Sequence, residues 1–190
     1  MINDLRHYLS QLIDVSDEEM NEFQRMEVIA SYSKDTVLLR EGEVSNKSYF
    51  VLKGCLRVYY LVDGEERTTA FYTERQAITP QCVVDGKPSA YHLVCVEDSV
   101  LVAATPEMEN HFFTKFPKFE TLCRVMAEKM LAVNQLSFDK YMISSPEERY
   151  LHLLETNKDL VNRVPQYHLA SYIGIKPESL SRIRKRLAKK

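Results

Sequence analysis

The hydrophobic period of the sequence changes twice along the chain, and this change constrains the fold more than any other feature. Short β-rich runs alternate with turn signals from Val28 to Ala104. After Pro106 the apolar residues recur every three or four positions, and the stretch from Phe112 to Tyr141 contains no glycine. Strands followed by helices, rather than strands alternating with helices, are typical of an α+β fold. The chain is therefore predicted to place an antiparallel β-structure before a long helical segment.

Two short helices are expected before the strands. Leu5, Leu9 and Leu12 lie at helical spacing near the N-terminus. Ser16 followed by Glu19 is a capping box, which predicts a second helix over roughly residues 17–26.

Six β-rich runs follow these helices: Thr36–Arg40, Ser48–Lys53, Leu56–Val62, Thr68–Thr73, Tyr91–Val96 and Ser99–Ala104. Asp63-Gly64 and Asp85-Gly86 lie between apolar runs, and each Asp-Gly pair indicates a hairpin because glycine accepts a positive φ. Strands this short and this evenly spaced predict a small antiparallel roll or barrel.

A single long helix is predicted over roughly residues 117–142, with Pro117 in its first turn. Two interpretations of its apolar face stay open: a core helix of one domain, or a seam with a second copy of the chain. Lys129, Ser137 and Lys140 interrupt a strict heptad, so a seam would be imperfect. The residues expected at a seam are apolar and three or four positions apart: Leu122, Met126, Met130 and Val133.

The charge is distributed unevenly. The chain carries a net charge of −2, but ten basic and five acidic residues lie between Ser145 and Lys190, so that segment is +5 and the rest is −7. An acidic body with a small basic module is the simplest organisation. Ser145-Pro146-Glu147-Glu148 is a helix start that marks the boundary. We expect three parts: residues 1–110 with the N-terminal helices and the strands, 111–144 with the long helix, and 145–190 as the basic module.

The basic module contains the pattern of a helix-turn-helix. A helix beginning at Pro165 would end at Gly174, and a second helix would begin at Pro177. Ala170 is small where the two helices must cross. Apolar residues at Leu169, Ile173, Ile175, Leu180, Ile183 and Leu187 would form the buried side of both helices. An ordinary helical hairpin with a basic face is the alternative.

The exposed side of this motif is expected to carry side chains that bind DNA. A recognition helix presents its N-terminal residues to base edges, where arginine pairs with guanine and glutamate accepts from cytosine. Lysines and arginines at the flanks hold phosphates, and Lys189 and Lys190 at the far end are expected to do so. The candidate DNA-binding residues are Gln166, Lys176, Glu178, Ser179, Arg182, Lys185 and Arg186.

The chain from about Ile29 to Leu187 resembles the Crp/Fnr family of bacterial transcription regulators. The resemblance rests on Glu41-Gly42-Glu43, on the run from Ser48 to Val58, on Val96-Glu97-Asp98-Ser99 and on the run from Glu178 to Arg182. It implies a cyclic-nucleotide-binding-type β-roll as a sensor domain over residues 1–110 and a dimerisation helix over 111–144. It also implies a helix-turn-helix DNA-binding domain over 145–190, in which the Glu and Arg contact bases. A homodimer on an inverted-repeat operator is implied as well, with RNA polymerase as a further partner. The roll would either sense an unidentified small molecule or have lost ligand binding.

Two features depart from the family pattern. Members that bind cyclic AMP carry a Gly-Glu and a later Arg-Ser or Arg-Thr, whereas the stretch from Phe71 to Tyr91 has no Gly-Glu and places Pro88-Ser89-Ala90 where Arg-Ser-Ala would stand. Lys87 is a poor substitute for the bidentate arginine, so cyclic AMP is not expected to bind. Pro177 replaces a frequent base-reading arginine, and the family's wing after the recognition helix has no counterpart before Lys190. Weaker DNA binding or a different operator is expected.

Other functions receive less support. The five histidines show no metal-ligand spacing, and no cysteine precedes Cys55, so neither a metal nor an iron–sulfur cofactor is expected. Haem ligation through His92 or Cys95 has no further support, and the four cysteines are expected to be reduced thiols. No catalytic constellation, apolar span or signal peptide occurs, so we expect a cytoplasmic protein that is not an enzyme. The rival hypothesis is a dimeric sensor or interaction module that no longer reads DNA specifically.

Overall fold

The computed structural model describes residues 1–188, which form two compact units. The first unit contains Met1–Tyr60 and Ala70–Glu120, and the second contains Leu61–Thr69 and the chain from Thr121 onward. The fold is α+β, with antiparallel sheets in the N-terminal half and helices in the C-terminal half. The division into domains predicted at residues 110 and 144 separates parts by function and stays a prediction.

The helices of the described chain are α1 Ile2–Ser10, α2 Asp17–Arg25, α3 Gln81–Asp85, α4 Pro106–Lys115, α5 Pro117–Ile143, α6 Pro146–Thr156, α7 Lys158–Arg163, α8 Gln166–Ile173 and α9 Pro177–Leu187. The strands are β1 Ile29–Tyr32, β2 Val37–Leu39, β3 Ser48–Lys53, β4 Leu56–Val62, β5 Glu65–Tyr72, β6 Ala77–Ile78, β7 His92–Cys95 and β8 Ser99–Ala104.

The predicted capping boxes are both present, at Ser16–Glu19 and at Ser145–Glu148. In each box the serine hydroxyl accepts a hydrogen bond from the backbone N–H of the glutamate, and the glutamate carboxylate accepts one from the serine N–H. Two otherwise unpaired donors are satisfied in this way at each helix start. These local signals explain why α2 and α6 begin where the sequence predicts.

The strands form two four-stranded antiparallel sheets, in the orders β1-β8-β3-β6 and β2-β7-β4-β5. Alternate side chains of both sheets point into one core, because successive residues of a strand face opposite sides. The core residues that are buried are Leu39, Tyr49, Val51, Leu56, Val58, Ile78, Cys82, Leu93, Cys95 and Leu101. Burial raises the pKa of the Cys95 thiol to about 11, so this cysteine stays protonated at neutral pH.

The two Asp-Gly pairs have different roles. Asp63 and Gly64 both have positive φ, at 53° and 79°, and connect β4 to β5 as a two-residue hairpin turn. The hairpin predicted at Asp85-Gly86 is wrong. Asp85 is the last residue of α3, and Gly86 ends that helix in the left-handed conformation. A glycine that accepts positive φ suits a helix end as well as a hairpin, so the dipeptide alone does not separate the two.

Within the first unit, α2, α4 and the start of α5 pack through aromatic rings. Phe23 lies 4.2 Å from Phe112 and 5.7 Å from Phe119, measured between ring centroids. The Lys115 ammonium donates to the Glu22 carboxylate at 2.8 Å, and this hydrogen bond lowers the pKa of Glu22. An apolar cluster with an ion pair beside it therefore holds these helices together.

Within the second unit, the tip of the β4–β5 hairpin packs on α8. The Ser171 hydroxyl accepts a hydrogen bond from the Thr68 N–H at 2.9 Å and donates one to the Glu66 carbonyl at 3.0 Å. Thr68 is buried, with 5% of its surface exposed. One serine side chain thus satisfies two backbone groups of the hairpin, a contact that no sequence pattern indicates.

Candidate nucleic-acid interface

Helices α8 and α9 are joined by the three residues Gly174, Ile175 and Lys176. Gly174 has φ +85°, and its N–H donates to the Ala170 carbonyl at 3.0 Å. The Ile175 N–H donates to the same carbonyl at 2.9 Å, so the end of α8 is closed by backbone hydrogen bonds. Pro177 occupies the first position of α9, as predicted.

The two helices share a buried apolar side. Its fully or nearly fully buried members are Leu169, Ala170, Ile173, Leu180 and Ile183. Leu180 and Ile183 are three residues apart on α9, so they fix which side of that helix faces inward. The opposite side of α9 is left for solvent or a partner.

The exposed side of α9 carries most of the predicted DNA-binding residues. Glu178, Arg182 and Lys185 are exposed and lie at intervals of four and three residues, so they are neighbours on one face. Lys176, just before the helix, is also exposed. Ser179 is half-buried, and its hydroxyl accepts a hydrogen bond from the Arg182 guanidinium at 3.1 Å. This face combines base-reading and phosphate-binding side chain types.

The remaining predicted residues have different surroundings. Gln166 is the exposed first residue of α8. Arg186 is exposed but forms an ion pair with Glu147 of α6, which the sequence did not indicate. Binding a phosphate would require Arg186 to leave or share this carboxylate. Lys189 and Lys190 lie outside the described residues.

Helix α5 exposes a long apolar surface. Every residue from Ala127 to Ile143 is exposed, whereas Leu122 and Met126 are half-buried. Met130 is 37% exposed and Val133 is 60% exposed, and both belong to the predicted seam. Leu136 lies three residues after Val133 and continues the same side, whereas Leu131 and Phe138 add exposed apolar area on another side of the helix. A surface of this kind is typical of a protein–protein contact.

The end of α5, the start of α6 and the end of α8 meet at Arg149. Its guanidinium lies 3.7 Å from the centroid of the Tyr141 ring. Its Nε donates to the Tyr141 carbonyl at 3.1 Å, and its Nη1 donates to the Ile173 carbonyl at 3.0 Å. Sequence reasoning missed both residues, because nothing in the pattern around Arg149 separates it from a solvent-exposed helical arginine.

The comparisons with known proteins agree with this architecture. Residues 29–113 match the family model of the cyclic nucleotide-binding domain. Among solved structures, FixK2 from Bradyrhizobium japonicum is 19% identical with a TM-score of 0.67, over 85% of this chain and 84% of that chain. The regulator CLP of Xanthomonas campestris is 16% identical with a TM-score of 0.68, over 92% of each chain. A comparison with curated protein sequences finds no match.

A third solved structure is similar as well. CooA from Carboxydothermus hydrogenoformans is 16% identical with a TM-score of 0.63, over 85% of this chain and 76% of that chain. FixK2, CLP and CooA are all Crp/Fnr regulators. The chain has the Crp/Fnr fold. The order of sheets, long helix and C-terminal helices that the sequence predicts is therefore confirmed.

The loop before β7 has an internal hydrogen-bond network. Ser89 is 6% exposed, and its hydroxyl donates to the Tyr91 carbonyl at 2.8 Å and accepts from the Tyr91 N–H at 3.2 Å. The Tyr91 ring lies 5.7 Å from the Tyr60 ring and packs against the core. The Ser89 hydroxyl is thus engaged with the Tyr91 backbone.

Within residues 1–188, no group of three or more His, Cys, Asp or Glu side chains is arranged to hold a metal ion. No helix in the same range is long and apolar enough to cross a membrane.

Proposed function

We propose that this chain is a dimeric, DNA-binding transcription regulator of the Crp/Fnr type. One observation carries the proposal: α9 packs its apolar side on α8 and leaves Glu178, Arg182 and Lys185 together on the opposite side. A helix supported in this way can enter the major groove without exposing its core. The fold shared with FixK2, CLP and CooA supports this role.

The exposed residues divide into two roles by their position on α9. Glu178 and Arg182 lie in the first half of the helix, where base edges are within reach, and they are the proposed base-reading residues. Lys176, Lys185 and Arg186, together with Gln166 on α8, are the proposed phosphate contacts. Arg186 must exchange its ion pair with Glu147 for a phosphate, so we expect it to contribute less to affinity than an unpaired arginine would.

A dimer is the second part of the proposal. Two copies of α5 packed along Leu122, Met126, Met130 and Val133 would cover apolar surface that one chain leaves in solvent. Two recognition helices related by a two-fold axis read half-sites about 34 Å apart, which predicts an inverted-repeat operator. RNA polymerase is a further partner of such a regulator.

The effector is the third part. We propose that the roll does not respond to cyclic AMP, because Pro88 replaces the phosphate-binding arginine and Ser89 is bonded to Tyr91. CLP has the same fold and is described as responsive to c-di-GMP, so a roll of this type is compatible with another effector. The roll either senses a different small molecule or serves as a scaffold.

Selection of DNA from a random duplex library tests the proposal. The wild-type protein is expected to enrich an inverted repeat. Arg182→Ala is expected to weaken binding to that site by about 1–3 kcal/mol and to change binding to random DNA little, since a base contact is lost. Arg124→Ala is the matched control, because Arg124 pairs with Glu128 on the exposed side of α5.

The salt dependence separates base reading from phosphate binding. Removing Lys189 and Lys190 is expected to weaken specific and random binding equally and to flatten the salt dependence by up to about one unit of slope per lost phosphate contact. If no inverted repeat is enriched, or if Arg182→Ala weakens both kinds of DNA alike, α9 does not read sequence. The rival function, a dimeric sensor or interaction module, then becomes the better interpretation.

A further inference from the structure

The contact between Arg149 and Tyr141 joins three helices of the second unit at one point. Tyr141 lies in the last turn of α5, Arg149 in the first turns of α6, and Ile173 is the last residue of α8. The guanidinium donates to one carbonyl at each of two helix ends, Tyr141 at 3.1 Å and Ile173 at 3.0 Å. Carbonyls at helix C-termini lack intrahelical partners and carry partial negative charge. A cation there is stabilised both by the hydrogen bonds it donates and by the helix dipole.

The Tyr141 ring also restricts the orientation of the Arg149 guanidinium. The guanidinium carbon lies 3.7 Å from the ring centroid, which is a close cation–π contact. The Tyr141 hydroxyl also lies against the turn after α8, since a Cβ added at Gly174 would be 3.2 Å from that oxygen and 3.5 Å from Arg149 Nη1. Glycine at this position therefore allows both side chains to approach the turn.

We propose that Arg149, held on the face of Tyr141, is the positioning residue that sets the angle between α5 and the α8–α9 pair. A planar guanidinium can bridge two carbonyls and stack on a ring at the same time, whereas an ammonium cannot. The two hydrogen bonds to carbonyls and the contact with the Tyr141 ring support this role of Arg149. Its consequence for DNA rests on the proposed function: in a dimer formed along α5, the same joint sets the distance between the two recognition helices.

A spin-label distance measurement tests the joint within one chain. Labels at Gln135→Cys on α5 and Ala188→Cys after α9 are introduced in a Cys123→Ser background, because both sites and Cys123 are exposed. Excess unlabelled protein ensures that each assembly contains one labelled chain. The otherwise wild-type protein is expected to give one narrow distance distribution. Arg149→Lys, which keeps the charge, is expected to broaden or shift it.

Two further variants serve as a control and as an independent disruption of the Arg149 contact. Arg124→Lys is the matched control and is expected to leave the distribution unchanged. Tyr141→Leu removes the ring and is expected to reproduce the effect of Arg149→Lys, and circular dichroism checks that both variants keep their helix content. If both variants fold and give the narrow wild-type distribution, Arg149 does not set the angle and the inference is wrong.

The consequence for DNA is measured separately. Inverted repeats whose half-site separation differs by one or two base pairs are compared with the selected site. Wild-type affinity is expected to fall sharply with changed spacing, whereas Arg149→Lys is expected to lose about tenfold or more on the selected site and to tolerate altered spacing. If wild type selects no inverted repeat, the proposed function fails while the distance measurement still decides the role of Arg149. An unchanged spacing preference in Arg149→Lys, beside a broadened distribution, would show that the joint does not control the operator.

Discussion

Among the glycines, Gly54 is the position where an added side chain would clash most severely. It lies between β3 and β4 with φ +107°, a conformation that residues with a side chain rarely adopt. A Cβ there would be 2.2 Å from Ser99 Oγ and 2.7 Å from the Ser99 Cα. The clash involves backbone as well as side chain, so it cannot be relieved by a rotamer change alone.

Gly54→Ala is therefore expected to destabilise the roll by about 2–6 kcal/mol, the sum of backbone strain and overpacking. Gly42→Ala is the matched control: Gly42 has φ +82°, but nothing lies within 4 Å of its added Cβ. It is expected to cost only the left-handed conformation, about 1–2 kcal/mol. Urea unfolding followed by circular dichroism measures both, and equal losses in the two variants would refute the steric explanation.

Properties of single residues could be predicted from the sequence where neighbouring residues determine them, and not where distant residues do. The exposure of Glu178 and Arg182 follows from helical spacing and is observed. The ion pair between Arg186 and Glu147 spans 39 residues and depends on how α6 packs near α9, so no local pattern contains it. The same holds for Arg149, whose partners belong to two other helices.

At the scale of elements, the tip of the β4–β5 hairpin is secured by one hydroxyl. Ser171 Oγ bonds the Thr68 N–H and the Glu66 carbonyl, and Thr68 is buried. Ser171→Ala would remove the hydroxyl that accepts from the Thr68 N–H, and the loss of this hydrogen bond at a buried residue costs about 1–3 kcal/mol locally. The Thr68 amide is expected to exchange with solvent about 10–100 times faster, as followed by NMR. Ser137→Ala, at an exposed site on α5, serves as the control, and unchanged Thr68 exchange in Ser171→Ala would contradict the assignment.

Elements with a start signal or a clear period of their own were predicted, whereas several short elements were missed. The starts of α2, α6 and α9 carry caps or prolines within a few residues, so sequence alone locates them. Strand β6 has two residues and exists through its pairing with β3, Tyr49 opposite Ile78 and Phe50 opposite Ala77. Such an element is defined by a distant partner rather than by its own period, and it was not predicted. Helix α3, at five residues, is likewise too short to show a helical repeat.

At the scale of the whole molecule, the proposed function includes the expectation that the roll does not respond to cyclic AMP. The proposal rests on Pro88, which stands where we expect a phosphate-binding arginine, and on Ser89, which is bonded to the Tyr91 backbone. We expect no thermal shift on titration with cyclic AMP. By linkage, a ligand at 100 times its Kd would add about 2.7 kcal/mol, which a melting experiment detects easily. A cyclic-AMP-binding regulator of the same fold serves as the positive control, and a saturable rise in Tm would contradict the prediction.

The apolar surface of the long helix α5 is not covered by the rest of the described chain, since every residue from Ala127 to Ile143 is exposed. Met126, Met130 and Val133 succeed one another by four and three residues, so they form one stripe along the helix. In a two-fold seam this stripe would meet its own copy, and Met130 of one protomer would be buried by the other. An aspartate there would place an unpaired charge in the seam, which costs about 3–5 kcal/mol.

Met130→Asp is therefore expected to convert a micromolar sample from dimer to monomer in sedimentation experiments, while circular dichroism retains the helix content. Gln135→Asp is the matched control, because it adds the same charge five residues further on, about 140° around the helix from Met130. It is expected to remain a dimer. A monomeric wild type at micromolar concentration would overturn the dimer hypothesis, and a Met130→Asp variant that dimerises as tightly as wild type would place the seam on another face of α5.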